Sequence, residues 1–164
     1  MPRENLNSLF RDFERFQRGP AIAYAHGYRR SSWTYERLVS TALFFANALK
    51  SRGIRTNDRI LLWAPNSAEW AAAFWGCLLS GAVAVPMDDS ASPEFAWRVA
   101  RDSQVKLIVV SRSRPQLDPA IPLLVVEDLA GIASNHRVVG SALASTTQGD
   151  LCAATLAAQG PGLL

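Results

Sequence analysis

Two adjacent acids, Asp88 and Asp89, are the first residues of this sequence whose type and position could do chemistry. They end the stretch GAVAVPMDD, residues 81–89, in which a glycine and a short apolar run precede a proline. If the apolar run is a parallel strand, both carboxylates follow its carboxyl end, where open α/β sheets commonly bind ligands. A metal-binding or ribose-binding role is therefore open. The simpler alternative is that the two acids are solvated or cap the next helix.

A phosphate-binding loop is the second chemistry to test in this stretch. Such a loop needs glycines after a strand and before a helix, so that backbone N–H groups can approach the phosphates. Gly81 instead ends an apolar helical pattern and comes before the strand. Neither GxGxxG nor GxxxxGK[ST] occurs, and the GPG at 160–162 is a weak signal. We therefore predict no cofactor-binding residue.

The other reactive side chains are isolated in the sequence. His26 lies beside Gly27 at an expected hairpin turn, without a local acid–base partner. The two cysteines, Cys77 and Cys152, lack the spacing of a zinc site, and Cys77 falls in an apolar helical pattern that predicts a core position. A GxSxG motif is absent. The sequence therefore predicts neither a catalytic nor a metal-binding residue.

Composition bounds the class of protein. With 164 residues, 49% of them hydrophobic, the chain can build a packed core. The net charge of +3 is mild, and the clustering expected of a nucleic-acid surface is missing. The arginines that could form a basic face are Arg29, Arg30, Arg52, Arg55 and Arg59. A charged N-terminus and the lack of a long apolar run predict a cytoplasmic protein without a transmembrane segment.

Hydrophobic periodicity predicts an α/β fold, with a parallel-sheet layer flanked by helices and a small β-hairpin near the N-terminus. We expect the stretch at 82–85 to be a fully buried parallel strand that is apolar on both faces. The other expected elements are a helix at 6–17, hairpin strands at 21–25 and 28–33, a helix from Thr34 to Gly53, a strand at 59–64, a helix from Ser67 to Gly81, a helix from Ser92, and strands in KLIVVS and PLLVVED.

Two collinear motifs resemble a known family. WTYERL at 33–38 and LLSGAVAVPMD at 78–88 resemble the first and second core motifs of the adenylate-forming (AMP-binding) enzyme superfamily, acyl-CoA synthetase-like members in particular. The stretches at 59–81 and 92–111 continue the resemblance, which spans about 20–130. It implies the first subdomain of a large N-terminal domain. The parent enzyme would use ATP and magnesium to activate a carboxylic acid, and coenzyme A or a carrier-protein phosphopantetheine to receive it.

The sequence departs from the family pattern near its end. QGDL at 148–151 resembles the approach to the family's phosphate loop, but CAATLAAQGPGLL follows it without such a loop and without a lysine. We therefore expect residues 1–139 to form the N-terminal subdomain and 140–164 to be a poorly patterned, non-native or truncated tail. The chain itself is expected to be catalytically silent and to hold no cofactor, because orienting a triphosphate requires several charged contacts and a metal.

Two alternatives come from other classes of protein. In the first, the chain is a non-catalytic module that keeps the scaffold and forms a homodimer or binds a partner through an exposed sheet edge or apolar face. In the second, it is a nucleotide-binding domain of another family, with the ligand near Asn66 and Asp88.

Overall fold

The computed structural model describes residues 6–26, 28–114 and 120–129, and its core is a parallel sheet with helices on both faces. The elements are α1 Leu6–Phe16, β1 Pro20–His26, β2 Arg29–Thr34, α2 Tyr35–Ser51, β3 Arg59–Trp63, α3 Ala68–Ser80, β4 Val83–Pro86, α4 Pro93–Asp102, β5 Leu107–Val110 and β6 Leu123–Val125. β1 and β2 pair as the expected antiparallel hairpin. The predicted α/β fold class is confirmed.

The four-stranded sheet has the order β4-β3-β5-β6, and every pairing in it is parallel. Ile60 of β3 is opposite Ala84 on one side and Leu107 on the other. Helix α3 joins β3 to β4 and helix α4 joins β4 to β5, the crossover connections that parallel strands require. Their carboxyl ends therefore lie along one edge of the sheet and their amino ends along the other.

The prediction that residues 82–85 form a fully buried strand is wrong. β4 is parallel, but among the described strands it pairs with β3 alone and lies at the edge of the sheet. Ala82 is buried, whereas the side chain of Val83 is 41% exposed and those of Ala84 and Val85 are half-buried. An apolar run predicts that helices cover both faces of a strand. It does not predict whether that strand lies in the middle of the sheet or at its edge.

Each predicted capping residue begins a helix. The side-chain oxygen accepts a hydrogen bond from the backbone N–H three residues later and so satisfies one of the free donors of the first turn. The three pairs are Thr34 with Arg37 at 3.2 Å, Ser67 with Trp70 at 3.0 Å, and Ser92 with Phe95 at 3.2 Å. Local hydroxyl chemistry therefore sets the start of α2, α3 and α4.

Helices α2, α3 and α4 end in the same left-handed turn, but the residue in that turn is not the same in all three. Gly53 follows α2 with φ +77° and Gly81 follows α3 with φ +80°. After α4 the same position is taken by Gln104, with φ +52°. The N–H of Gln104 and that of Val105 donate back to the last turn of the helix, each at 3.0 Å. This hydrogen-bond pattern usually selects glycine, because a Cβ is strained in the left-handed region.

The helices cover the two faces of the sheet, and α1 covers the helices. α2 and α3 lie very close together, since a Cβ on Gly76 would come within 2.7 Å of Phe45 Cδ1. α4 packs on the opposite face, against a cluster that includes Trp63. Phe10 of α1 is only 1% exposed, so the apolar side of α1 docks on the protein's own core as expected. In the described part of the chain no helix is both long and apolar enough to cross a membrane.

Candidate functional site

The carboxyl ends of the four parallel strands form one continuous surface, which we call the carboxyl edge. It consists of residues 64–67 after β3, 87–90 after β4, 111–114 after β5 and 126–128 after β6. The ladder continues for one step past the strands, because Met87 N donates to Leu62 O at 3.0 Å and Val126 N donates to Val110 O at 2.9 Å. The loops therefore start at a common level, and side chains from different strands can meet.

Asp88 is used within its own loop. Its Oδ1 accepts hydrogen bonds from the backbone N–H of Ser90 at 2.7 Å and from the Ser90 hydroxyl at 2.6 Å. These bonds favour the ionised form, so they hold the pKa of the Asp88 carboxyl below its usual value. The arrangement is a side-chain turn within the loop before α4, and the residue that caps α4 is Ser92.

Asp89 is bound to an arginine from the neighbouring loop. The Arg114 guanidinium lies 2.5 Å from Asp89 Oδ1 through Nη2 and also donates to the backbone carbonyl of Asp89. The centre of the same guanidinium is 5.0 Å from the centroid of the Trp63 ring, a cation–π contact. The Arg114 side chain is only 22% exposed. Arg114, from the loop after β5, therefore contacts both the last residue of β3 and the loop after β4.

A second group of contacts joins the loops after β5 and β6. Glu127 accepts from the Ser111 hydroxyl at 2.6 Å and from the backbone N–H of Arg112 at 3.1 Å. Desolvation raises the pKa of Glu127, but the Ser111 hydrogen bond, backbone N–H groups and the Arg112 charge outweigh it and hold the pKa below its usual value. Arg112 also forms an ion pair with Asp128, in which both side chains are more than half exposed.

The carboxylates of this edge are thus engaged in holding loops. Asp88, Asp89, Glu127 and Asp128 each accept from a neighbour. Within the described ranges no group of three or more metal-ligating side chains occurs. The sequence has two lysines, and neither lies in the four loops of the carboxyl edge. Lys50 is in the last turn of α2, and Lys106 directly precedes β5. The described residues do not fit the ATP and magnesium that the resemblance implies.

The other residues that the sequence offered as candidate site residues either have a structural role or lie outside the part of the chain that the structure describes. Cys77 is fully buried in the core, and burial raises its thiol pKa to about 12, so the sulfur is a poor nucleophile at neutral pH. His26 is the last residue of β1, and Asn66 is exposed in the loop after β3. Gly27, Cys152, the QGDL stretch and the GPG lie outside the described residues.

Sequence reasoning missed Arg114 and Glu127. The partners of each ion pair or hydrogen bond are far apart in sequence, 25 residues for Arg114 and Asp89 and 16 for Ser111 and Glu127. A usable signal did exist, because Arg114 closely follows one predicted strand and Glu127 lies near the carboxyl end of the next, in PLLVVED. Applying the rule for strand carboxyl ends to every strand would have found them.

Comparison with known proteins identifies the family. The sequence profile of the family described as AMP-binding enzyme matches residues 9–158. An acetyl-coenzyme A synthetase of Photobacterium profundum is 36% identical over 94 residues, which are 57% of this chain and 14% of that protein. The phenyloxazoline synthase MbtB of Mycolicibacterium paratuberculosis is 32% identical over 123 residues, which are 75% of this chain and 10% of that protein.

The fold agrees with this family. A crystal structure of a fatty acyl-adenylate ligase from L. pneumophila, in complex with acyl adenylate and pyrophosphate, superposes with a TM-score of 0.66 at 23% identity. The superposition covers 79% of this chain and 24% of the ligase, and at that identity it concerns the fold alone. The chain spans about one seventh or less of the two curated relatives described above. From residue 9 to residue 158, the chain belongs to the AMP-binding enzyme family.

Proposed function

We propose that the chain is the N-terminal part of an AMP-dependent ligase that activates a carboxylic acid. The acid would join ATP to give an acyl-adenylate and pyrophosphate, and a thiol would then displace AMP to give a thioester. The family match over residues 9–158 carries this proposal. The name of the relative acetyl-coenzyme A synthetase supports the class of reaction. The proposal leaves the acceptor open between coenzyme A and a carrier-protein phosphopantetheine.

In this proposal the chain supplies scaffold, and it is catalytically silent by itself. Residues 1–139 would act as the first α/β subdomain, and the family match continues past them to residue 158. The partnered carboxylates of the carboxyl edge support this role, since Asp89 and Glu127 are already engaged by Arg114 and Ser111. Transfer of the adenylyl group from ATP to a carboxylate, with pyrophosphate as the leaving group, requires free charged contacts and a metal ion at the reacting atoms. A cytoplasmic location is part of the same proposal.

Pyrophosphate release tests both halves of the proposal. The coding sequence downstream of codon 151 is read in all three frames, and a frame with a Ser/Thr/Gly-rich loop ending in lysine is expressed joined to residues 1–151. We expect this longer protein to release pyrophosphate with ATP, magnesium and at least one member of a carboxylic-acid panel. The 164-residue chain should release none. Release by the shorter chain contradicts its silence, and absence of any such frame contradicts the ligase parent.

A self-associating module is the second candidate function. The edge position of β4 favours it, because Val83 is 41% exposed and, among the described strands, β3 alone pairs with β4. Light scattering across a range of concentrations measures the oligomeric state directly. A dimer that dissociates when Val83→Lys places a charge on the edge supports the module. A strict monomer at all concentrations contradicts it.

A further inference from the structure

The amino edge of the sheet, where the parallel strands begin, carries a concave surface of its own. The cavity has a volume of about 460 Å³, which falls in the range of small-molecule sites. Its lining is polar and comes from two loops, the one before β3 and the one between α4 and β5. The lining residues are Asn57, Asp58, Arg59, Gln104, Val105 and Lys106.

Two cationic residues line this cavity, Arg59 and Lys106. Lys106 N donates to Arg59 O at 2.8 Å, so the two residues occupy neighbouring positions on paired strands. Like charges at such positions repel each other. Arg59 donates from Nη1 to the carbonyl oxygen of Ser103 at 3.3 Å, which holds its guanidinium beside the second loop. Within the described ranges neither cation has a carboxylate at ion-pairing distance.

The acid in the lining is engaged elsewhere. Asp58 Oδ2 accepts from the backbone N–H of Arg55 at 2.7 Å, so its charge serves the turn that precedes β3. The amides of Asn57 and Gln104 are additional donors at the rim of the cavity. Both of these residues have a left-handed backbone, with φ of +69° and +52°. Their N–H groups donate to Gly81 O and to Arg101 O, which fixes both loops to neighbouring turns.

We propose that this amino-edge cavity binds a tetrahedral oxyanion, the phosphate group of a small molecule, between Arg59 and Lys106. A bound phosphate accepts charge-assisted hydrogen bonds from both cations and removes the repulsion between them. Asn57 and Gln104 line the same cavity, and their side-chain amides would donate to the remaining phosphate oxygens. The site is formed entirely by described residues at the amino edge, so it does not depend on the ligase function proposed for the chain.

NMR titration with inorganic phosphate at constant ionic strength tests the proposal. We expect saturable shifts of the backbone amides at 57–59 and 104–106. Lys106→Gln should weaken binding by about tenfold, the loss expected for one charge-assisted hydrogen bond, and Arg59→Gln should do the same. Lys106→Arg should restore binding. Arg98→Gln is the matched control, because it removes one exposed positive charge from α4 outside the cavity.

Each outcome bears on the site. Saturable shifts confined to the two loops, lost in Lys106→Gln and kept in Arg98→Gln, support it. Shifts that rise linearly with phosphate, or that Lys106→Gln and the control Arg98→Gln weaken to the same extent, overturn it. A second titration with pyrophosphate and with sulfate shows whether one tetrahedral group is sufficient. Both cations are exposed, and thermal melts of each variant establish that a loss of binding is not a loss of fold.

Discussion

The charged residues are paired at the carboxyl edge of the sheet, whereas two cations at the amino edge have no carboxylate partner among the described residues. At the carboxyl edge, Arg114 is paired with Asp89 and Glu127 accepts from Ser111 and Arg112. At the amino edge, Arg59 and Lys106 lie together in a cavity, and no carboxylate of the described part of the chain pairs with them. The comparison teaches that position on an α/β sheet indicates where a ligand can bind, while the pairing of the side chains decides whether they are available.

The largest expected effect comes from removing the arginine that fastens the carboxyl edge. Arg114→Ala should lower the free energy of unfolding by about 2 kcal/mol, because it removes a largely buried charged hydrogen bond and a cation–π contact. Urea denaturation measures the change.

The matched controls for this variant lie at both edges. Arg112→Ala should cost less than about 1 kcal/mol, since its ion pair with Asp128 is more than half exposed on both sides. Lys106→Ala should be neutral or slightly stabilising, because it relieves repulsion. A larger loss from Lys106→Ala than from Arg114→Ala would reverse the comparison between the edges.

The next effect concerns the left-handed residue at the rim of the amino-edge cavity. Gln104→Gly should stabilise the protein by about 1 kcal/mol, because glycine adopts φ +52° without a Cβ clash. Thermal and urea denaturation report the gain.

The control uses the equivalent turn after α3. Gly81→Ala places a Cβ at φ +80° and should destabilise by a similar amount, about 1 kcal/mol. If Gln104→Gly instead lowers stability, then the Gln104 side chain makes a contribution to the fold that outweighs its backbone strain.

The smallest effect is a pH dependence confined to the carboxyl edge. The pKa of Glu127 in the folded protein lies below the ordinary 4.5, so its contribution is complete well above pH 4.5 and is lost as pH falls through the folded-state value. Because the site is largely open to solvent, the contribution should stay under about 1 kcal/mol. Unfolding free energies of the native protein and Glu127→Gln, measured from pH 6 to pH 3, should converge at the acid end. Parallel curves would contradict this assignment.

Much of the fold could be predicted because its signals are local. Thr34, Ser67 and Ser92 mark helix starts, and Gly53 and Gly81 mark helix ends, through interactions within one turn of chain. The exposure of Val83 could not be predicted, since it depends on which strand lies outermost in the sheet. Gln104 gave no signal either, because glutamine is not a residue that favours a left-handed turn.

The candidate sites were harder to predict than the fold. Asp88 and Asp89 were found from their position after a strand, but their partners determine what they do, and Arg114 comes from another loop. The cavity between Arg59 and Lys106 exists only because β3 and β5 are neighbours in the sheet while 47 positions of chain numbering separate the two residues. Pattern along the chain cannot supply such a pairing.

The buried thiol of Cys77 is also a probe of transient unfolding. A reagent such as iodoacetamide needs an accessible thiolate, so in the native protein this position should stay unalkylated until α3 separates from the sheet. Mass spectrometry of the peptide that contains Cys77 would then measure the fraction alkylated over time. That rate reports how often the native state opens, without a dye attached to the protein.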